Sequence, residues 1–598
     1  MKVLITTLNS KFIHSSLSIR YLKSHCKNYI KDITVQEYTI NQNLDFIAGE
    51  IFKQKADVVA FSCYIWNIKE ILEIAKILKI VNPNLIIILG GPEVSFDCEK
   101  ILKKYEFINF IIYGEGEETF KELLIKLNKG FKEFNDIRGI AYRDIKHQKI
   151  IKNPLRPLIF NLDTINTPFE DNLDVYKNKI VYYESSRGCP FNCKFCLSST
   201  ISGVRFFSLE RVKKDLSLLI AAGVKQVKFV DRTFNSAKDY ALEIMKYLIE
   251  ETKKSKNLIN FHFEVTAHLI HKDILDFLET VPEGLFQFEI GVQSTNPKTI
   301  KAINRTTNID KLSQVVKKIK SYKNIHQHLD LIAGLPYEDY NTFRKSFNDV
   351  YNINGDKLQL GFLKLLKGSE LRANKDEFGY KFADTPPYEV LENSYISYDE
   401  ILRLKVIEEL VEGYGNKAAF RNTIKFIITN FYNSPIDFYE EFSIYWESKE
   451  YHIRHHSEKS LYKKIFEFCN DKVSINMEVF TEILKFDFLY NSNNPNLPNY
   501  LQSFDYKDIQ TKRHVFLQNE DNILKYLSNY KESSVKKIIK DIHFEKFKIN
   551  ILELIKMNYD ISCVKKLETV ILFEYTPQKP LNKCNVVDVT KEFYHIKE

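Results

Sequence analysis

The chain alternates short apolar strands with amphipathic helices in two separate runs, residues 1 to about 130 and 179 to about 368. Few folds accommodate this. Strands joined through helical crossovers pair in parallel, and the helices then cover the sheet. In the first run Val3–Leu8, Ile33–Ile40, Ala56–Trp66, Leu85–Leu89 and Phe110–Tyr113 read as strands, and Ser15–Ile30 and Ile68–Ile80 as helices. The expected fold class is α/β, beginning with a doubly wound parallel sheet. Ligands of such sheets lie beyond the carboxyl ends of the strands. The unusual residues fall there: Asn9 and Ser10, then Ser62-Cys63-Tyr64-Ile65-Trp66-Asn67, then Gly90-Gly91-Pro92-Glu93, then Gly114-Glu115-Gly116-Glu117. Glycine lets backbone approach a bulky ligand. Tight turns need glycine too, but four enriched loops on one edge favour a ligand. No G-x-G-x-x-G follows the first strand, so a dinucleotide is poorly supported.

The second run gives strands at Ile180–Glu184, Gln226–Val230, Asn260–Val265, Phe286–Val292, His328–Ala333 and Leu358–Leu363. Six strand–helix units imply a partial (β/α)6 barrel, whose chemistry gathers at the carboxyl ends of the strands. Polar residues there are Asp231 and Arg232, Glu264, Gln293 and Ser294, with Gly334-Leu335-Pro336 and Lys364 at the last two ends. An inward polar residue can equally hold a loop, and Asp231 or Arg232 can form a structural ion pair.

Between the first two of these strands lies Cys189-x3-Cys193-x2-Cys196, broken out of the strand by Gly188 and Pro190. Thiolates favour iron–sulfur clusters, zinc or copper(I). Zinc would need a further Cys or His pair nearby, and none follows before His262. A [4Fe–4S] cube held by three cysteines keeps one iron for another ligand. With Phe195 before the last cysteine, the loop resembles the signature of radical S-adenosylmethionine (SAM) enzymes. The resemblance implies that SAM chelates the open iron and is reductively cleaved to a 5′-deoxyadenosyl radical. It also places Asp231 and Arg232, by position, at the SAM amino group. Glu264, Gln293 and Ser294 then lie by the ribose or methionine moiety, Gly334, Leu335 and Pro336 by the adenine, and Lys364 at the sixth strand end.

The first run resembles the cobalamin-binding module that precedes many radical SAM cores. That implies cobalamin contacts from Asn9, Ser10, Ser62, Tyr64, Trp66, Asn67, Gly90, Gly91, Pro92, Glu93, Gly114, Glu115, Gly116 and Glu117. The D-x-H-x-x-G that supplies a histidine to cobalt is absent, as it often is in the radical SAM branch. His14 follows the first strand; a surface or helix-capping role is expected, the alternative being an approach to the lower cobalt face. The expected domains are a cobalamin-binding-like Rossmann domain over 1–135, a linker over 136–178, a radical SAM core over 179–370, and a mainly helical C-terminal domain over 371–598. The linker holds a candidate hairpin, Ile140–Arg143 with Lys149–Ile151. The C-terminal region resembles a domain of unknown function found behind such cores. Tyr388 to Val411 reads as helix, and strands are expected at Thr569–Glu574 and Asn585–Val589. Cys469, Cys563 and Cys584 read as buried thiols, and His452, His455 and His456 as a solvated face.

Charge does not point to nucleic acid: a net +8 over 598 residues is mild. No apolar run approaches the roughly 20 residues of a membrane span. Nine cysteines, three clustered, fit a reducing cytoplasm better than a disulfide framework. The leading reading is a cobalamin-dependent radical SAM enzyme that functionalises an unactivated carbon of a small molecule or peptide, methyl transfer being one outcome. Its implied cofactors are a [4Fe–4S] cluster, SAM and cobalamin, with an electron donor such as flavodoxin or ferredoxin as partner. The alternatives are a radical cyclase or rearrangement enzyme, a methylthiotransferase, and a non-enzymatic iron–sulfur redox sensor. Iron counting separates one cluster (about four irons) from two (about eight).

Overall fold

A computed structural model describes the chain except residues 145–146, 171–172, 202, 256, 492–495, 503–505, 532, 576–583 and 595–598. The chain divides into two compact units: Met1–Phe343 with Gly361–Tyr398, and Arg344–Leu360 with Asp399–Glu598.

In the first unit, strands β1 (Lys2–Asn9), β2 (Asp32–Thr39), β3 (Val58–Ser62), β4 (Ile86–Gly90) and β5 (Phe110–Ile112) pair in parallel. Their runs are apolar throughout because both faces are covered, as parallel strands require. Alternate residues feed opposite cores. Leu4, Val59, Phe61, Ile87 and Leu89 pack with Ile47, Ile71 and Ile74 on one face. Val3, Ile5, Val58, Ala60 and Ile88 pack with Ile19, Phe120 and Leu123 on the other. The candidate hairpin forms as β6 (Ile140–Asp144) and β7 (Lys149–Lys152), but it does not stand apart. It adds antiparallel to β5 and completes the order β2-β1-β3-β4-β5-β6-β7. It thereby covers the edge that β5 would otherwise expose.

Further along come β8 (Ile180–Tyr183), β9 (Ser186–Cys189), β10 (Gly203–Phe206), β11 (Gln226–Phe229), β12 (Asn260–Glu264), β13 (Phe286–Gln293), β14 (His326–Ala333) and β15 (Lys357–Phe362). Six of these form one sheet, ordered β15-β14-β13-β12-β11-β8. Strands β9 and β10 form a separate antiparallel hairpin that flanks the cysteine loop. Two short strands, β16 (Lys381–Phe382) and β17 (Val390–Glu392), follow. The region expected to be helical from Tyr388 therefore begins extended, and its helix starts at Tyr398.

The second unit is mainly helical, with Phe438, Phe442, Trp446 and Phe468 packed ring on ring. It also holds a three-stranded antiparallel sheet: β18 (Ile542–Phe547), β19 (Thr569–Tyr575) and β20 (Cys584–Asp588). Only the last two strands were expected. Ile-His-Phe-Glu-Lys-Phe reads as polar, yet all six residues are buried, and Glu545 is taken up by His543 (3.1 Å) and Lys485 (3.6 Å). Cys469 and Cys584 are buried. The Cys563 side chain lies outside the described residues. His452 and His455 are exposed.

Candidate active site

The cysteine loop is held from three sides. Gly188 has φ +98°, and a Cβ there would sit 2.0 Å from the Gly203 carbonyl, so the β9–β10 pairing requires glycine. Lys194 N–H donates to Ile303 O, Leu371 N–H to Lys194 O, and Asn304 Nδ2 to Asn192 O, at 3.0–3.1 Å. The three thiols border a cavity of about 190 Å³. Among the described residues no three His, Cys, Asp or Glu side chains converge closely enough to hold a single ion, the histidines at 452–456 included. Burial pushes the Cys193 thiol up. Arg305, whose Nη1 donates to Cys193 Sγ at 3.6 Å, opposes that. Thr233 Oγ1 lies 3.6 Å from Cys189 Sγ.

Of the residues expected at SAM, the structure brings Arg232, Glu264 and Gln293 to this cavity. The others serve its frame. Asp231 accepts from Ser185 N (3.0 Å), Ser185 Oγ (2.6 Å) and Ser186 Oγ (2.5 Å), so its carboxylate holds the β8–β9 connection. Ser294 Oγ donates to Glu338 at 2.6 Å. Gly334 O accepts from Tyr380 and Asn393, Leu335 is core, Pro336 O accepts from Thr299, and the Lys364 backbone pairs antiparallel with that of Glu389. Sequence reasoning gave no role to Glu289 or Arg305; both line the cavity, as does Asp330 from the fifth-strand segment expected beside the adenine. Strand alternation was the available signal for Glu289, since Gln287, Glu289, Gly291 and Gln293 share one face of β13. His262 and Lys228 hold the Glu289 carboxyl down at about 2. Burial, with Glu289 and Glu264 nearby, pushes Asp330 up to about 8.

A second cavity, of about 570 Å³, opens at the carboxyl edge of the parallel sheet. Its floor is apolar: Ile5, Ala60, Ile88, Ile112 and Phe120. Asn9, Ser10, Ser62, Tyr64, Trp66, Gly90, Gly91, Pro92, Gly114, Gly116 and Glu117 line it as expected positions, joined by residues 15–18 at the start of the first helix. Tyr64 and Trp66 stack at 4.5 Å between centroids. Three expected residues turn elsewhere. Asn67 is spent on Thr7, Leu8, Ser62 and Tyr64. Glu93 is buried against the Tyr388 hydroxyl and Lys367 Nζ. Glu115 binds Arg187, Arg205 and the Ile159 N–H. His14 is neither a surface nor a capping residue: it lines the cavity, with Nδ1 2.9 Å from the Tyr182 hydroxyl. Ser16 takes the N-cap position. The barrel contributes Glu184, Arg187 and Arg232 to the same wall, and Arg187 binds Glu184 (3.0 Å) and Glu117 (2.5 Å).

Two openings in one unit, one rimmed by three thiols, fit an iron–sulfur cluster and a second, larger ligand. In sequence the chain is similar to cobalamin-binding-domain-containing radical SAM enzymes. Family profiles match a B12 binding domain over residues 3–124, the radical SAM superfamily over 183–350, and a protein of unknown function (DUF4080) over 376–573. The chain is 29% identical over 371 residues to an uncharacterized methyltransferase of Pyrococcus horikoshii, covering 60% of this chain and 76% of that one. It is 25% identical over 373 residues to the cobalamin-dependent radical SAM methyltransferase TokK of Streptomyces tokunonensis, and spans about half (53%) of its length with 59% of its own. Its fold matches that of OxsB, a cobalamin-dependent S-adenosylmethionine radical enzyme with aqua-cobalamin bound. The TM-score is 0.58 at 16% identity, covering 89% of this chain and 84% of that one.

The cofactors of these domains are a [4Fe–4S] cluster, SAM and cobalamin, and the residues present fit them. Three thiols rim a cavity rather than a point. Buried Gln293 Oε1 and Asp330 Oδ1 have no partner among the described residues, which leaves acceptors for the hydroxyl and ammonium groups of SAM. An apolar floor under a polar rim suits cobalamin's aromatic base and its amide-fringed ring. Among the described residues no helix is long and apolar enough to cross a membrane.

Proposed function

We propose that this chain is a methyltransferase acting on an unactivated carbon, with cluster, SAM and cobalamin held in the two cavities. When bound, these groups supply reductive cleavage of SAM and a transferable methyl group. Cys189, Cys193 and Cys196 would hold the cluster. Glu264, Gln293 and the backbone at Asp231–Arg232 would receive SAM. The lining serines, glycines, Tyr64 and Trp66 would receive cobalamin. The supporting observation is that both cavities lie in one compact unit and share a wall at Arg232. A substrate placed there lies between the two cofactors. The protein's share is to orient it and keep water away. The reductant would be a small one-electron carrier of the flavodoxin or ferredoxin kind. The compartment would be the reducing cytoplasm, in keeping with eight described cysteines that are all free.

Anaerobic purification tests this directly. The chain should carry about four irons and one corrinoid. Cys193→Ala should lose the iron and SAM cleavage while keeping the corrinoid. Full iron content in that variant would refute the assignment. A reaction product with a new ring and no added methyl would replace methyl transfer with cyclisation.

A further inference from the structure

We infer that the substrate carries an anionic group, a carboxylate or a phosphate, and that the Arg232 guanidinium receives it. The inference rests on the two-cofactor reading above.

Among the described residues Arg232 alone lines both cavities. A substrate that must meet the chemistry of both therefore passes this side chain. The other cations along the two walls are already engaged. Arg187 is shared among Glu115, Glu117 and Glu184. Arg305 is held by Cys193, the Gly291 carbonyl and Thr307. Arg232 has no hydrogen bond or ion pair from its side chain to any described residue. Glu264 feels its field but is not paired with it. A forked, permanently charged donor left open between two cavities matches a planar carboxylate or a phosphate, which it can grip through two parallel N–H bonds.

The segment that carries Arg232 is fixed. On one side, Asp231 is bound by three donors from Ser185 and Ser186. On the other, Thr233 Oγ1 donates to the Arg232 carbonyl at 2.7 Å, and Asn235 exchanges hydrogen bonds with Thr266. The guanidinium is thus presented on a braced turn, so little backbone entropy is lost when an anion docks.

The test uses the full chain loaded anaerobically with cluster and hydroxocobalamin, and the probes are inorganic phosphate and acetate. Ligand-detected NMR should show saturable millimolar binding of at least one anion, and the stronger of the two names the group. Arg232→Gln should weaken that binding at least tenfold. Arg232→Lys, which keeps the charge but loses the fork, should fall between. Arg232→Gln should still load iron and corrinoid, and its SAM affinity should fall less than its anion affinity. Three results would overturn the inference: no saturable binding of either anion, equal binding by Arg232→Gln, or a loss of SAM affinity as large as the loss of anion binding, which would assign Arg232 to the carboxylate of SAM. A chain that loads neither cluster nor corrinoid fails before any anion is added. That outcome refutes the function proposed above and this inference with it.

Discussion

Glu184 shows how one residue's surroundings set its chemistry. Burial pushes its carboxyl from an ordinary 4.5 up to about 7; Arg187 opposes the shift and Glu117 adds to it. In the cofactor-free protein the folded state thus holds a proton that the unfolded chain gives up above about 4.5. The stability this brings is complete below the unfolded value and is lost as pH rises through about 7. Glu184→Gln stays neutral throughout. Its stability relative to the unmodified protein should therefore climb between pH 5 and pH 8, as read by urea denaturation at each pH. Parallel curves for the two proteins would show that Glu184 does not titrate there. Arg305 was hard to see in the sequence for a simple reason: it reaches Cys193 across 112 residues, with no motif around it. Asn67, Glu93 and Glu115 illustrate the converse. Their loop positions were legible, but their side chains are spent on the protein's own frame.

Among the elements, the parallel strands were readable because both faces are buried, which leaves continuous apolar runs such as Ile86-Ile-Ile-Leu89. The β9–β10 hairpin was not. Its facing residues Arg187 and Arg205 look like loop, and only the structure shows them both held by Glu115. β18 was missed for the same reason, with its charges paired internally. The hairpin's dependence on Gly188 can be measured. Gly188→Ala forces a Cβ against the Gly203 carbonyl in a left-handed backbone, a strain of about 1–3 kcal/mol before the clash itself. Anaerobic reconstitution should then retain less than roughly half the normal iron. Gly203→Ala carries the same left-handed backbone strain (φ +80°) but meets no atom within 4 Å, so it should be milder. Equal iron in Gly188→Ala and the unmodified protein would mean that the loop tolerates a shifted hairpin.

Across the whole first unit, Glu93 fastens the glycine turn after β4 to the segment beyond the barrel. Tyr388 and Lys367 both reach it, and Phe96 packs on Gly368. Glu93→Gln keeps the shape but removes the charge that Lys367 faces, a loss of about 1–3 kcal/mol in local stability. Hydrogen exchange should quicken over residues 364–398, while β3 and β4 stay protected. Unchanged exchange over 364–398 would show that apolar packing alone secures the segment.

That fastening also bears on how the protein is made. The bond from Tyr388 to Glu93 closes a loop of 295 residues, and the one from Lys367 a loop of 274. Contacts so distant in sequence form late, because the chain entropy of closure must first be overcome. During synthesis the parallel sheet can assemble as soon as its strands emerge, yet the rim of its cavity gains its last neighbours only after the barrel has been translated.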